Sequence, residues 1–163
     1  MSATIRAPRP DSDDRGLLED ALRSDATFTR EEIAVAIELI ESALEPREHS
    51  EHDYTVRIAD LDGFPVAGYI CFGRTPMTES TWDLYWVVTH ARARGRGIAS
   101  ALIEAMEREV IRRGGKTIRV ETSQQESHEA ARRLYDRLGY PVLARFPDFY
   151  RAGDDLIVYY KRL

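Results

Sequence analysis

The stretch Val87-Val88-Thr89-His90-Ala91-Arg92-Ala93-Arg94-Gly95-Arg96-Gly97-Ile98-Ala99 decides how the rest of this chain is read. It begins as the end of a hydrophobic strand, Thr81–Thr89, that carries Trp82, Tyr85, Trp86, Val87 and Val88. It ends as the start of a helix over residues 95–113, with Ile98, Leu102, Ala105, Met106 and Val110 at helical spacing before Gly114-Gly115 stop it. A strand-to-helix corner leaves the N–H groups of the first helical turn unpaired at the positive end of the helix dipole. Gly95 and Gly97 lack Cβ atoms, so an anion can come close to the backbone there. Arg92, Arg94 and Arg96 add charge and forked donors. In physical terms the corner is a pyrophosphate cradle.

Three such cradles compete. A P-loop needs Gly-x-x-x-x-Gly-Lys-Ser/Thr, and this loop has no such lysine. A dinucleotide fingerprint is approached by Gly95-x-Gly97-x-x-Ser100 with Glu121 ending the next strand. Ser100 replaces its third small residue, antiparallel strands precede it, and too little chain follows for further parallel units. The third pattern, Arg/Gln-x-x-Gly-x-Gly/Ala, is met by Arg92-x-x-Gly95-x-Gly97.

Outward from the corner, the chain reads as a mixed α/β domain. A weak helix spans residues 11–23, after Pro10. A clearer one follows the capping box Thr29-Arg30-Glu31-Glu32, carries Ile33, Ala36, Ile37, Ile40 and Leu44, and is ended by Pro46. Extended segments are expected over residues 54–59 and 64–73, joined at Asp62-Gly63, ahead of Thr81–Thr89. After the central helix come a strand over residues 117–121, a helix over 126–138 stopped by Gly139, and strands over 141–145 and 156–161 around a loop, 146–155.

Composition sets the outer bounds. With 163 residues, one domain spanning 1–163 is the natural reading, with enough chain for its own core. Residues are 43% hydrophobic and 31% charged, as in an ordinary globular protein. The single Cys71 excludes an internal disulfide, is expected to be a buried strand residue, and fits a reducing, cytoplasmic setting. No apolar run is long enough for a membrane span, and residues 1–10 carry no secretory h-region. A net charge of −5 argues against nucleic acid as partner, and the arginine cluster fits a small phosphorylated ligand better. His49 and His52 have no ligand set around them, so no metal is expected.

A second motif follows the cradle at a distance: Ala131-Arg132-Arg133-Leu134-Tyr135-Asp136-Arg137-Leu138-Gly139-Tyr140. With both motifs in order, the chain resembles the GNAT superfamily of N-acetyltransferases over residues 54–161. The resemblance implies a mostly antiparallel twisted sheet of six to seven strands, splayed in the middle and flanked by about four helices. It implies acetyl-coenzyme A as co-substrate and transfer of the acetyl group to a primary amine, on a small molecule or a peptide, within a ternary complex. The alternative is a non-catalytic acyl-coenzyme A-binding module that regulates a partner. Acceptor identity and oligomeric state, a homodimer included, stay open.

Such a transfer must strip a proton from the amine, support an oxyanion and neutralise a thiolate. An alkylamine of pKa ~10 is only about one part in a thousand neutral at pH 7, a cost of ~4 kcal/mol. By the resemblance, the main chain of Trp86, Val87, Val88 and Thr89 pairs with pantetheine and polarises the thioester, the amides of Arg94, Gly95, Arg96, Gly97, Ile98 and Ala99 hold the pyrophosphate, and Arg92 or Arg94 reaches the 3′-phosphate. Tyr135 donates a proton to the thiolate. Members of that family often carry Asn seven residues before it, in contact with pantetheine, and by position His128 is the cofactor-binding residue here. Asp83 is the expected general base, placed by strand alternation on the face of Val87, with Glu121 as its rival. The acceptor pocket is expected from Trp82, Tyr85 and Trp86 together with Phe146, Pro147, Asp148, Phe149, Tyr150, Asp154 and Asp155, and would hold a cationic amine.

Overall fold

A computed structural model describes residues 3–9, 12–45 and 54–163. His49, His52, Pro10, Pro46 and the expected helix start at Asp11 lie outside the described residues. The elements run β1 (Thr4–Arg6), α1 (Asp14–Arg23), α2 (Arg30–Leu44), β2 (Thr55–Leu61), β3 (Phe64–Arg74), β4 (Thr81–Thr89), α3 (Ile98–Arg112), β5 (Thr117–Ser123), α4 (Glu129–Arg137), β6 (Val142–Arg151) and β7 (Asp154–Arg162). They form one seven-stranded sheet in the order β1-β2-β3-β4-β5-β7-β6, antiparallel except where β4 meets β5.

The capping box forms as the sequence predicts: Thr29 Oγ1 accepts the Glu32 N–H, and the Glu32 carboxylate accepts the Thr29 N–H. Two layers of apolar side chains flank the sheet. On one face α3 and α4 bury Ile98, Leu102, Ile103, Met106, Val110, Leu134 and Tyr135 with Trp82, Leu84 and Val120. On the other, α1 and α2 bury Leu18, Leu22, Ala36 and Ile40 with Ile58, Tyr69 and Val88. Cys71 is buried, as expected, in that second layer.

Two features of β4 shape the site. Its parallel ladder with β5 runs Thr81–Thr117, Trp82–Ile118, Asp83–Arg119 and Leu84–Val120, then ends; both strands continue, but apart. On its other side β4 stays paired to β3 through Gly68–Thr89, with a bulge where Cys71 faces Trp86 and Phe72 faces Leu84, so that Tyr85 is the extra residue. The bulge resets the alternation. Trp82, Leu84 and Val87 face α3, whereas Tyr85, Trp86 and Val88 face α1 and α2. Asp83, between Trp82 and Leu84, belongs with Tyr85, so the expected sharing of one face by Asp83 and Val87 does not hold.

Three other expectations change. Strand β1 was not foreseen; its three residues pair with Ile58, Ala59 and Asp60. The helix begins at Ile98, because residues Ala91–Ala93 form a separate 3-10 turn. The region expected as a loop, 146–155, is instead the far end of a long hairpin, β6 turning into β7 at Ala152-Gly153, with an irregularity at Asp148 where φ is 53°.

Strand β1 is tied down by charge rather than by length. Arg6 donates to both oxygens of Asp14 at 2.6 and 2.9 Å and to Asp60 at 2.5 Å, joining β1, β2 and the start of α1. The Arg6 hydrogen bonds hold the Asp14 carboxyl below the usual carboxylate range, with the Arg9 N–H adding to the effect and burial opposing it. A carboxyl whose pKa is depressed by folding contributes its full stability above about pH 4 and loses it as acid takes the pH down through the lowered value. Asp14→Asn should therefore destabilise the domain by about 3 kcal/mol, the low end for breaking a buried pair because Asp60 still holds Arg6. Urea unfolding at neutral pH measures this, and the gap between wild type and variant should close in acid.

Candidate active site

The loop between β4 and α3 is an open corner. His90 caps the 3-10 turn, Ala93 is buried beneath it, and Gly95 and Gly97 take φ of 76° and 75°, the left-handed region open to glycine. Residues 94–97 are exposed. Among the described residues, the amides of 94–100 donate no hydrogen bond, while Ala101 is the first to donate back into the helix, to Gly97. These amides converge at the N-terminus of α3, whose dipole favours an anion. Gly68 sets how close α3 comes: a Cβ there would lie 2.5 Å from the Val88 carbonyl oxygen and 2.8 Å from Ile98 Cγ2. Any larger residue at 68 would push the loop off the sheet.

Arginines around the loop are held, not loose. The Arg92 guanidinium lies 5.3 Å over the Phe64 ring, and Arg94 donates to Asp25 at 2.7 Å while staying half exposed. Ser24 Oγ accepts the Ala91 N–H at 3.0 Å. The last turn of α1 thus grips the loop from below.

Beside the corner lies the gap between β4 and β5. Beyond Leu84 the β4 edge that faced β5 has no strand partner, so the main chain of Trp86, Val87, Val88 and Thr89 is available on that side. The far wall is β5, whose Glu121, Thr122 and Ser123 pair with β7 on the other side. Arg132 of α4 donates to the carbonyls of Ser123 and Gln125 at 2.7 and 2.8 Å, fixing the turn that leaves this wall.

The two faces of the gap differ in chemistry. On the face of α3 and α4, Tyr135 is buried, its ring 5.2 Å from Tyr159 and 5.9 Å from Tyr140. Burial first, and the nearby Tyr159 second, push its phenol above the ordinary value, so it carries its proton at neutral pH. Its hydroxyl makes no hydrogen bond among the described residues. On the opposite face Arg119 donates to Asp83 at 2.7 Å, and its Nη1 lies 3.5 Å from Glu121. Tyr85 packs edge-on against Tyr54 and Trp86 against Phe28, with centroids 5.2 and 5.1 Å apart. Burial and then the Asp83 charge push the Tyr85 phenol up to about 12. Tyr150 is raised too, by burial first and then by the charges of Glu121, Asp154 and Glu32. Glu32 also sits 3.7 Å from His128 Nε2, so α2 and α4 meet across the gap mouth.

Most residues singled out in the sequence gather here. Trp82 does not: it lies in the core at the paired end of β4, under Arg113 at 4.3 Å and against Gly115, far from the gap. Asp148 accepts the Gly153 N–H and shapes the hairpin turn, and Asp155 binds Arg145 and the Asp148 N–H. Sequence reasoning missed Asp20, Ser24 and Asp25, which meet the loop from about 70 positions away, and Arg119, whose role needs the β4–β5 register. Arg132 stood in the quoted motif but had no signal for its two carbonyl partners.

The family model for the acetyltransferase (GNAT) family matches residues 18–140. A solved structure of a Desulfovibrio desulfuricans protein assigned to GNAT acetyltransferases is 34% identical, with a TM-score of 0.87 over 99% of both chains. An aminoglycoside 6′-acetyltransferase type Ii is 25% identical, TM-score 0.77, over 98% of this chain and 96% of that one. An aminoglycoside 6′-N-acetyltransferase solved with coenzyme A shares the fold at 21% identity, TM-score 0.75, over 98% and 96%. A splayed sheet with an amide-lined corner is the frame of an acyl-coenzyme A-dependent transferase. The chain belongs to the GNAT acetyltransferase family.

Gly97→Ala tests the corner. Its Cβ would meet nothing within 4 Å, so the fold should persist, but φ of 75° strains any side chain by ~1–2 kcal/mol. If the loop relaxes to relieve that strain, coenzyme A should bind about tenfold more weakly by calorimetry.

Proposed function

We propose that this protein transfers the acetyl group of acetyl-coenzyme A to a small cationic amine, within a ternary complex and without an acyl-enzyme. The observation that carries the reading is the end of the β4–β5 ladder at Leu84–Val120, beside a corner of unpaired amides. An extended pantetheine arm can complete the β4 edge, the amides of 94–99 take the pyrophosphate, and Arg92 and Arg94 flank the 3′-phosphate. Oxyanion support comes from β4 main chain, a preorganised donor that costs no rearrangement.

The opposite faces of the gap assign the two ends of the reaction. The amine approaches from the α1–α2 face, where Tyr85 and Trp86 offer ring faces and Glu32, Asp83, Glu121 and Asp154 offer negative charge. Asp83 is committed to Arg119, whereas Glu121 is half exposed just past the last β4–β5 pair. We therefore assign Glu121, through water, as the proton collector and Asp83 as the partner that fixes Arg119. Tyr135, from the α4 face, protonates the leaving thiolate. Its raised pKa keeps the phenol protonated at neutral pH and able to donate. His128 lines the mouth between donor and acceptor. The acidic acceptor face and the net charge of −5 favour an amine over a nucleic acid, and the single buried cysteine is in keeping with the cytoplasm. The aminoglycoside acetyltransferases among its relatives act on polycationic amines, a class this acceptor face suits.

Free-thiol release from acetyl-coenzyme A across an amine panel tests this. Turnover should be greatest for acceptors with two or more positive charges. Tyr135→Phe should lower kcat about 100-fold with little change in KM. Glu121→Gln should be slow at neutral pH and recover as rising pH deprotonates the amine unaided. Tight acetyl-coenzyme A binding with no turnover on any amine would favour a regulatory module instead.

A further inference from the structure

His90 is a buried imidazole that the chemistry above does not use. Its Nδ1 accepts the N–H of Arg92 at 3.1 Å, and its Nε2 lies 3.2 Å from Asp20 Oδ2. A nitrogen that accepts an amide proton carries none of its own, so the ring is the neutral tautomer with its proton on Nε2, donated to Asp20. The ring also stands edge-on to Phe64, at 5.0 Å, below the ring that carries Arg92 on its face. The His90 backbone closes the same turn: its N–H donates to Ala67 and its carbonyl accepts from Ala93.

We propose that His90 is a positioning residue of the donor site, holding the pyrophosphate loop as the Nε2–H tautomer and releasing it when protonated. This rests on the loop being the coenzyme A cradle. The turn over Ala91–Ala93 is the lead-in to the unpaired amides of 94–100, and the direction of those amides follows from where it sits. Three links fix it to the last turn of α1: His90 to Asp20, Ala91 to Ser24 and Arg94 to Asp25. Only the first runs through a ring whose one nitrogen must accept while the other donates. An imidazolium has two N–H groups and no acceptor, so the Arg92 amide would face a proton where it now meets a lone pair. Asp20 faces Nε2, Arg92 lies over the neighbouring Phe64 ring, and the Arg94–Asp25 pair joins the same two segments. The Arg92 bond exists only while Nδ1 is unprotonated.

Calorimetric titration with dephospho-coenzyme A tests this, because that ligand lacks the phosphomonoester that would titrate in the same range. Wild type, His90→Asn and His90→Phe are compared at about pH 5.5 and about pH 7.5, bracketing an ordinary histidine. Asn keeps an oxygen acceptor at a cap position but does not titrate. His90→Asn should bind within about threefold of wild type at the higher pH, and should lack the wild-type weakening at the lower one. His90→Phe keeps the packing on Phe64 and loses the acceptor; it should bind about tenfold more weakly at both. Identical pH dependence in wild type and His90→Asn would overturn the proposal, as would wild-type affinity in His90→Phe. Should His90→Phe fail to fold, the comparison with His90→Asn decides alone. No binding by wild type at either pH would instead refute the donor assignment beneath it.

Discussion

A strand in the middle of a sheet that loses its neighbour leaves N–H and C=O groups with nothing to bind, at a cost of roughly 1–3 kcal/mol for each one buried. Here that happens to β4 beyond Leu84, in the centre of a seven-stranded sheet. Much else in the molecule serves to keep this opening. The Tyr85 bulge turns the end of β4 without breaking its pairing to β3. On the other wall β7 pairs β5 out to Ser123, and Arg132 collects the Ser123 and Gln125 carbonyls. An unfilled edge held apart by two well-paired strands leaves main-chain groups open to an added extended segment.

Separation of the faces follows from the same opening. Because side chains alternate across a sheet, the bulge sends Val87 toward α3 and Tyr85 with Trp86 toward α2. A phenol buried among tyrosines lies on one side; carboxylates, Arg119 and the half-buried rings of Tyr85 and Trp86 lie on the other. The two faces of the gap thus differ in dielectric surroundings, one apolar around a neutral phenol and one lined by charge. Helix α1 ties the arrangement together. Its last turn and the two residues after it hold the β4–α3 corner, and the chain beyond begins α2, whose Glu32 reaches His128. The β4–α3 corner and the Glu32–His128 contact thus share one short piece of backbone.

How much of this the sequence discloses depends on distance along the chain. The corner from Val87 to Ala99 is legible because glycine spacing, arginine content and the change from strand to helix pattern are all local. The capping box at Thr29 is legible for the same reason. Fold class follows from element order plus the resemblance around Tyr135. What stays hidden depends on register or on distant pairing. The three residues of β1 are too few for a pattern and rest on an Arg6–Asp14–Asp60 charge cluster. A one-residue bulge at Tyr85 leaves no mark on composition yet reverses the face of Asp83. Trp82 looked like a pocket residue because its neighbours are; only its packing under Arg113 reveals core. In the β6–β7 hairpin, Pro147 and Asp148 read as loop residues, but an edge strand tolerates both at an irregularity.

Hydrogen exchange on the protein with and without acetyl-coenzyme A probes the opening directly. The amides of residues 94–100, together with those on the unpaired side of residues 86–89, should exchange freely in the ligand-free protein and become protected when the donor is bound, with the paired β2–β3 ladder unchanged. Protection confined to other segments, or amides at 94–100 already slow without ligand, would contradict the assignment of this corner and edge as the donor site.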